Sequence, residues 1–489
     1  MLQILKKIFR LILVVYVFFF AYEWALPRPE TLLNSSRVYT VSDNSVHFYA
    51  DETYVNKEGK REVKQEVWDT IFSTIDAAHR MVFLDMFLFN DFQGLKPETT
   101  RPLTEELTAH LTEKRTTDPH SVVALITDPI NTVYGGVSSP YLDRLRAKGV
   151  FVILTNLTVL PDSNLTWSAF WRPFVLIFGN ATSGGFFPHP FQVNGEKVTL
   201  RSWLALLNFK ANHRKILVAD EPIMKNDKHV GSNIVTIVTS ANPHDGSSAH
   251  GNIALKVDNQ IWKDVLASES EIAVLSGSGL PSLGSGITDD ATGTLQVSFL
   301  HEEQIKIKAL EIITGAQKGD AIELEMFYLS EREIIRALID ASNRGVTIRV
   351  ILDPNKDAFG HQKNGIPNRP VAKELVSRSG GDISVRWCDT HGEQCHAKLF
   401  MGKTATSTFL MVGSANFTRR NIGGFNLEAD ILVEQKSEFT AWRDAQAYFS
   451  RLWNNTDGTY TTDYSTYEDT SIWKSSLYRM MERTGLSSF

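Results

Sequence analysis

Asn212-His213-Arg214-Lys215-Ile216-Leu217-Val218-Ala219-Asp220, then Val238-Thr239-Ser240-Ala241-Asn242, then Gly251-Asn252-Ile253-Ala254 is one passage of the chain. Its answer comes later: Cys395-His396-Ala397-Lys398-Leu399-Phe400-Met401, then Leu410-Met411-Val412-Gly413-Ser414-Ala415-Asn416, then Phe425-Asn426-Leu427-Glu428. Each reads as an apolar strand entered through His-x-Lys and a second strand leaving through Ser-Ala-Asn. Alternate side chains of a strand share a face, so His and Lys point to one spot while the residue between them points away. Ser240 to Asn252 and Ser414 to Asn426 are both spaced by twelve. A single His-x-Lys carries no weight, because core histidines supply many; the duplicate with matched partners does.

Working outward, the repeat continues. Leu84-Asp85-Met86-Phe87 recurs as Leu324-Glu325-Met326-Phe327, each closing a β-type run (81–89 and 321–329). Apolar strands ending in Asp-Pro follow, at Asp128-Pro129 and Asp353-Pro354, and then a helix and a further strand (142–148 with 150–154; 371–377 with 383–387). Strands alternating with helices in this order predict an α/β protein with a mainly parallel or mixed sheet covered on both faces, twice over. The expected organisation is a first lobe over 45–275, a linker over 276–293 rich in Gly and Ser, a second lobe over 294–457 and a C-terminal tail over 458–489. An insertion over 157–208 carries Trp167, Trp171, Phe178 and other aromatics, read either as an interfacial element or as a folded cap with its own small core.

Two imidazoles, two ammoniums, two hydroxyls and two amides form an inventory suited to a phosphoryl group. Lys215 and Lys398 would neutralise non-bridging oxygens, and Ser240, Asn242, Ser414 and Asn416 would bind them by hydrogen bonds. One of His213 and His396 can attack phosphorus, and the other can protonate the leaving oxygen and later activate water or an alcohol. No metal or other cofactor is called for.

At these residues the sequence resembles the phospholipase D superfamily, whose signature is a duplicated His-x-Lys, an Asp five residues on, and Gly-Ser-x-Asn. Within it the chain looks most like the bacterial phospholipase D-like and cardiolipin synthase-like members. The resemblance implies two pseudo-symmetric α-β-α sandwich lobes, one active site at their interface and a covalent phosphohistidine. It also implies His213 as nucleophile and His396 as general acid. Asp220 matches the signature Asp, whose role in the family is structural, while Lys403 stands at its counterpart. Thr239 replaces the Gly before Ser240. Glu428 matches the acidic residue that orients a catalytic imidazole; Ala254 stands at the equivalent place in the first half, and family analogy pairs Glu428 across the interface with His213.

The composition suits this reading. The chain has 489 residues, net charge −6, 43% hydrophobic and 22% charged residues, and two cysteines. That is too hydrophobic for disorder and predicts two domains held by cores rather than disulfides. Cys388 and Cys395 are read as buried thiols, with pairing in an oxidising compartment as the alternative. Lys6, Lys7 and Arg10 precede the apolar run Leu11 to Leu26, interrupted at Glu23, so residues 1–30 are expected to be an uncleaved signal anchor: one membrane span, with the catalytic region extracytoplasmic (periplasmic in a bacterium). A cleaved secretory signal is the alternative. The expected activity is that of a membrane-anchored phosphodiesterase or phosphatidyltransferase acting on phospholipids. The alternative is a nuclease acting on DNA or RNA, which would want a basic groove, and no Lys/Arg block lines the motif loops. Oligomeric state is not legible.

Overall fold

The computed structural model describes residues 1–26, 36–225, 228–281, 293–487 and 489, with side chains 224–230 left aside. Residues 27–30 of the expected anchor and 282–292 of the expected linker lie outside the described residues.

Each half builds a sheet with the same strand order. In the first, Val46–Asn56, Asn252–Asp258, Lys228–Thr239, Lys215–Lys225, Met81–Met86, Val122–Thr127 and Phe151–Leu154 lie side by side. In the second the order is Leu295–His301, Ala429–Gln435, Thr408–Gly413, Lys398–Lys403, Ala321–Met326, Thr347–Leu352 and Ile383–Cys388. The last three strands of each run parallel, and the others pair antiparallel, so the sheets are mixed. Parallel neighbours need crossovers, supplied by helices such as Leu103–Thr117 and Pro140–Ala147 in one lobe and Arg332–Asn343 and Asn368–Arg378 in the other.

Residue alternation decides which face goes where. Ile216 and Val218 join a core shared with Leu399, Met401, Leu410 and Val412 of the other lobe. Leu217 and Ala219 point instead into the first lobe's outer core, and Phe400 into the second's. The inner faces of the two sheets therefore form one hydrophobic seam, and both His-x-Lys segments sit at its end.

Three segments tie the lobes together. Val38–Val41 pairs with Leu295–His301 of the second sheet, and Gly458–Thr459 pairs with Val46–Asn56 of the first. Thr461–Asp463 pairs with Ile383–Cys388 of the second sheet. The tail then forms the helix Ile472–Thr484, whose buried Tyr478 hydroxyl donates to Glu374 at 3.0 Å.

Two expectations are corrected. Cys388 and Cys395 are a disulfide rather than free thiols: one ends a strand, the other precedes the next, and their Cα atoms are 6.2 Å apart, within bridging range. Residues 2–25 do form one helix, but no helix among the described residues is long and apolar enough to cross a membrane. The charge-free run from Leu11 to Tyr22 is about 18 Å at about 1.5 Å per residue, short of a roughly 30 Å hydrocarbon core, with Arg10 before it and Glu23 after it. Glu23 is buried and paired with Arg172 of the aromatic insertion, and Tyr16 donates to the Thr166 carbonyl at 3.1 Å. The helix thus docks on the insertion.

The insertion is a folded cap. Trp171, Val175 and Ala205 make one small core, and Val198 joins Val133 and Val137 in another. Its far side leaves Ile177 70% and Phe178 63% exposed.

Candidate active site

Each histidine stands just before its strand rather than within it, since those strands begin at Lys215 and Lys398. The aspartates of the two Asp-Pro markers hold these loops. Asp128 Oδ2 accepts from the Asn212 N–H at 2.7 Å, and Asp353 Oδ2 from the Cys395 N–H at 2.9 Å. Each loop is then clamped by the opposite lobe. The His213 N–H donates to the Leu427 carbonyl at 2.9 Å, and the His396 N–H to the Gly251 carbonyl at 2.8 Å. Both imidazoles consequently line one cleft of about 430 Å³ at the seam, together with Asn242 and Asn416.

The repeated Leu-Asp/Glu-Met-Phe motif supplies the floor. Phe87 lies 4.8 Å from the His213 ring and Phe327 lies 4.9 Å from that of His396. Beneath them, Lys215 Nζ donates to the His213 carbonyl at 2.6 Å and Lys398 Nζ to the His396 carbonyl at 2.5 Å. Lys215 and Lys398 are buried on the same face as their histidines, whereas the intervening Arg214 points away to Glu269 at 2.8 Å and Glu302 at 2.7 Å.

The two imidazoles differ in their support. His213 Nδ1 lies 3.0 Å from Glu428 Oε2 and 2.9 Å from Oε1. Among the described residues, His396 Nδ1 has the Asn252 side-chain oxygen alone, at 3.3 Å. With the shared proton on Nδ1, each ring presents Nε2 to the cleft. Ser240 and Ser414, expected to bind phosphate, lie behind this layer instead. Ser414 Oγ donates to Glu428, Ser240 Oγ donates to Asn252 Oδ1 at 3.3 Å, and each hydroxyl accepts a backbone N–H at 3.0 Å, from Ala429 and Ile253. The serines orient the groups that orient the histidines.

These bonds also correct the internal alignment. Ser240 N–H donates to Ile253 O as Ser414 N–H does to Ala429 O, so Glu428 corresponds to Asn252, not to Ala254. The first half's loop is shorter by two residues, and the equal twelve-residue spacing paired Asn252 with the wrong asparagine. Asp220 accepts from the backbone N–H groups of His79, Arg80 and Met81, which is a structural task. Counting from Ser-x-Asn missed Asn421, which donates to Glu428, and Arg420, buried at the cleft edge and bonded to the Gly485 carbonyl at 3.0 Å. An Arg-Asn pair after the motif is no signal by itself.

Burial dominates the electrostatics. It holds both histidines well below their ordinary value, with Lys215 contributing to each, and pulls Lys215 down to about 7. Lys398 is lowered well below its usual range by burial and then by Lys215. Burial also pushes Glu428 up to about 8. Two crowded, desolvated ammoniums beneath the two imidazoles form a site that gains from an incoming anion. Among the described residues, Glu325, Cys388 and Cys395 have metal-ligand proximity, but the two sulfurs are bonded to each other and do not constitute a ligand set.

Residues 309–453 match the family described as "Cardiolipin synthase, PLD-like domain". The fold is similar to that of phosphatidylserine synthase from Haemophilus influenzae Rd KW20, with 11% identity and TM-score 0.56 over 93% of this chain and 96% of that one. A phospholipase D family member, Nuc from Salmonella typhimurium, aligns with 35% of this chain and 98% of its own, with 18% identity and TM-score 0.27. Among curated proteins no sequence match is found. The family match over residues 309–453, with the duplicated fold and the paired motifs, supports a phospholipase D superfamily member. Within that class it carries the cardiolipin synthase-like type of domain.

Proposed function

We propose that the protein hydrolyses or transfers the phosphatidyl group of phospholipids through a phosphohistidine on His213, with His396 as acid and base. The asymmetry of support carries this reading: a carboxylate on His213 and a neutral amide on His396. A nucleophilic imidazole gains from a carboxylate that fixes its tautomer and stabilises its positive charge, whereas an acid is stronger without one. Nε2 of His213 attacks phosphorus, and the departing oxygen keeps its bonding electrons and takes the proton of His396. Water or an alcohol then attacks phosphorus and gives its proton to His396, and the P–N electrons return to His213. Lys215 and Lys398 supply positive charge beneath the phosphate, and Asn242 and Asn416 supply amides at the cleft wall.

The docked helix and cap support work at a lipid surface. Phe18 and Phe20 on the helix join Ile177 and Phe178 of the cap as exposed apolar side chains, and Lys6, Lys7 and Arg10 are exposed at the helix start, as anionic headgroups require. The disulfide supports an oxidising, extracytoplasmic setting.

His213→Ala and His396→Ala are each expected to abolish turnover on phospholipid vesicles. Acid quench of the wild type should leave label on the peptide covering residues 210–220. Label around His396 instead reverses the roles, and salt-dependent DNA cleavage with no lipid product removes the lipid reading.

A further inference from the structure

His250 is a buried imidazole that the mechanism above does not use. It lies two residues before Asn252, as Asn426 lies two before Glu428, so the corrected alignment makes His250 and Asn426 counterparts. On the His213 side, Asn426 Oδ1 accepts the Ala211 N–H at 3.0 Å and fastens the loop. His250 makes no such bond, and neither ring nitrogen has a hydrogen-bond partner among the described residues. Its ring is instead stacked on Phe359, with centroids 5.6 Å apart, and tilted against His396, with centroids 5.7 Å apart. Across the seam this loop is joined by backbone bonds: Gly251 N–H to the Gln394 carbonyl at 3.0 Å, and His396 N–H to the Gly251 carbonyl at 2.8 Å.

A pair of apolar residues would pack as well here, and an acid would bind His396 more firmly. An imidazole behind an imidazole does something else. Two such rings, buried and this close, cannot both carry charge, so a proton on His396 requires His250 to stay neutral. Resting on the proposed phosphoryl chemistry, we infer that His250 is a positioning residue for His396. It fixes the plane of that ring from behind, and its competition for the single proton keeps His396 a strong acid toward the leaving oxygen. The groups whose charge bears most on this pair are Lys398, His244, Lys215 and His213, all cationic when protonated. His213 differs on both counts, with Glu428 at its Nδ1 and Asn426 at the place of His250.

The test separates leaving groups. Bis(p-nitrophenyl) phosphate releases a phenolate that needs little protonation, whereas dihexanoyl phosphatidylglycerol releases an alkoxide that does; general acid catalysis is worth about 10²–10⁴-fold for the latter class. In His250→Ala the loss of kcat on the lipid should exceed the loss of the p-nitrophenol burst by about tenfold or more. In His250→Phe, which keeps a ring but no nitrogens, the alkaline limb of the lipid pH profile should move upward by about half a pH unit, because one group that lowers His396 is gone. Equal losses on both substrates, or an unmoved limb in a His250→Phe protein with wild-type melting temperature, would overturn the inference while leaving the phosphohistidine mechanism intact. Absence of a burst and of trapped label in the wild type removes the mechanism, and the inference with it.

Discussion

At the scale of single residues, the difference between the two histidines is the feature most open to measurement. Replacing Glu428 by Gln keeps the shape but leaves one acceptor oxygen where two accept from Ser414 and Asn421, and it removes the carboxylate beside His213. Loss of such a partner is expected to lower kcat by about 10–100-fold with little change in KM, as read from steady-state kinetics on short-chain lipid. The lysines give a pH prediction with a definite sign. Burial lowers Lys215 to about 7, so in the free site the ammonium loses its proton as pH rises through that value. Binding of tungstate, as a phosphate stand-in, should weaken above about pH 7. Calorimetry in buffers of different ionisation enthalpy should show proton uptake at pH 8 and less at pH 6. A binding constant flat from pH 6 to 9 would contradict the assignment of charge to Lys215. At this scale the imidazoles, lysines and amides were legible as types and spacing, because strand periodicity is local. The orientation of Ser240 and Ser414 away from the cleft was not, because the groups that hold them, Asn252 and Glu428, return on another strand.

At the scale of elements, the N-terminal helix and the cap act together. Sequence reading treated Leu11 to Leu26 as a span and the aromatic segment as a separate insertion. The structure joins them through Glu23, Arg172 and Asp162, with Lys210 on Asp162 at 2.6 Å, three residues before His213. A helix that exposes apolar side chains on most of its surface while burying one glutamate in a neighbour is anchored to protein at one end and free to meet lipid along its length. Changing Ile177 and Phe178 to Ser should therefore lower co-sedimentation with anionic vesicles several-fold, in line with interfacial anchoring by exposed apolar groups. Activity on vesicles should fall more than activity on dihexanoyl lipid in the same preparation. Equal falls would mean that the cap serves only the fold. The aromatic richness of the insertion was visible in the sequence. Which aromatics form its small core and which face outward was set by contacts with Val133 and Val137, far back in the chain.

At the scale of the whole molecule, two sheets of identical order share one core, and the candidate site lies where their loops exchange backbone bonds. Because buried lysines stand where other phosphodiesterases hold a divalent ion, activity is expected to persist in EDTA. Complete loss, restored by a divalent cation, would count against the proposed chemistry. The sequence by itself determined the duplication, the mixed α/β sheets and the residue types at the site, because apolar alternation and motif order act over short stretches of chain. Only the tertiary structure decided that Glu428 meets His213, a contact spanning 215 residues, and that Asn252 meets His396. A loop shortened by two residues conceals that correspondence from any count along the chain. It emerges from the packing of the two inner sheet faces, which sets the strands' register and therefore which side chains arrive at the seam.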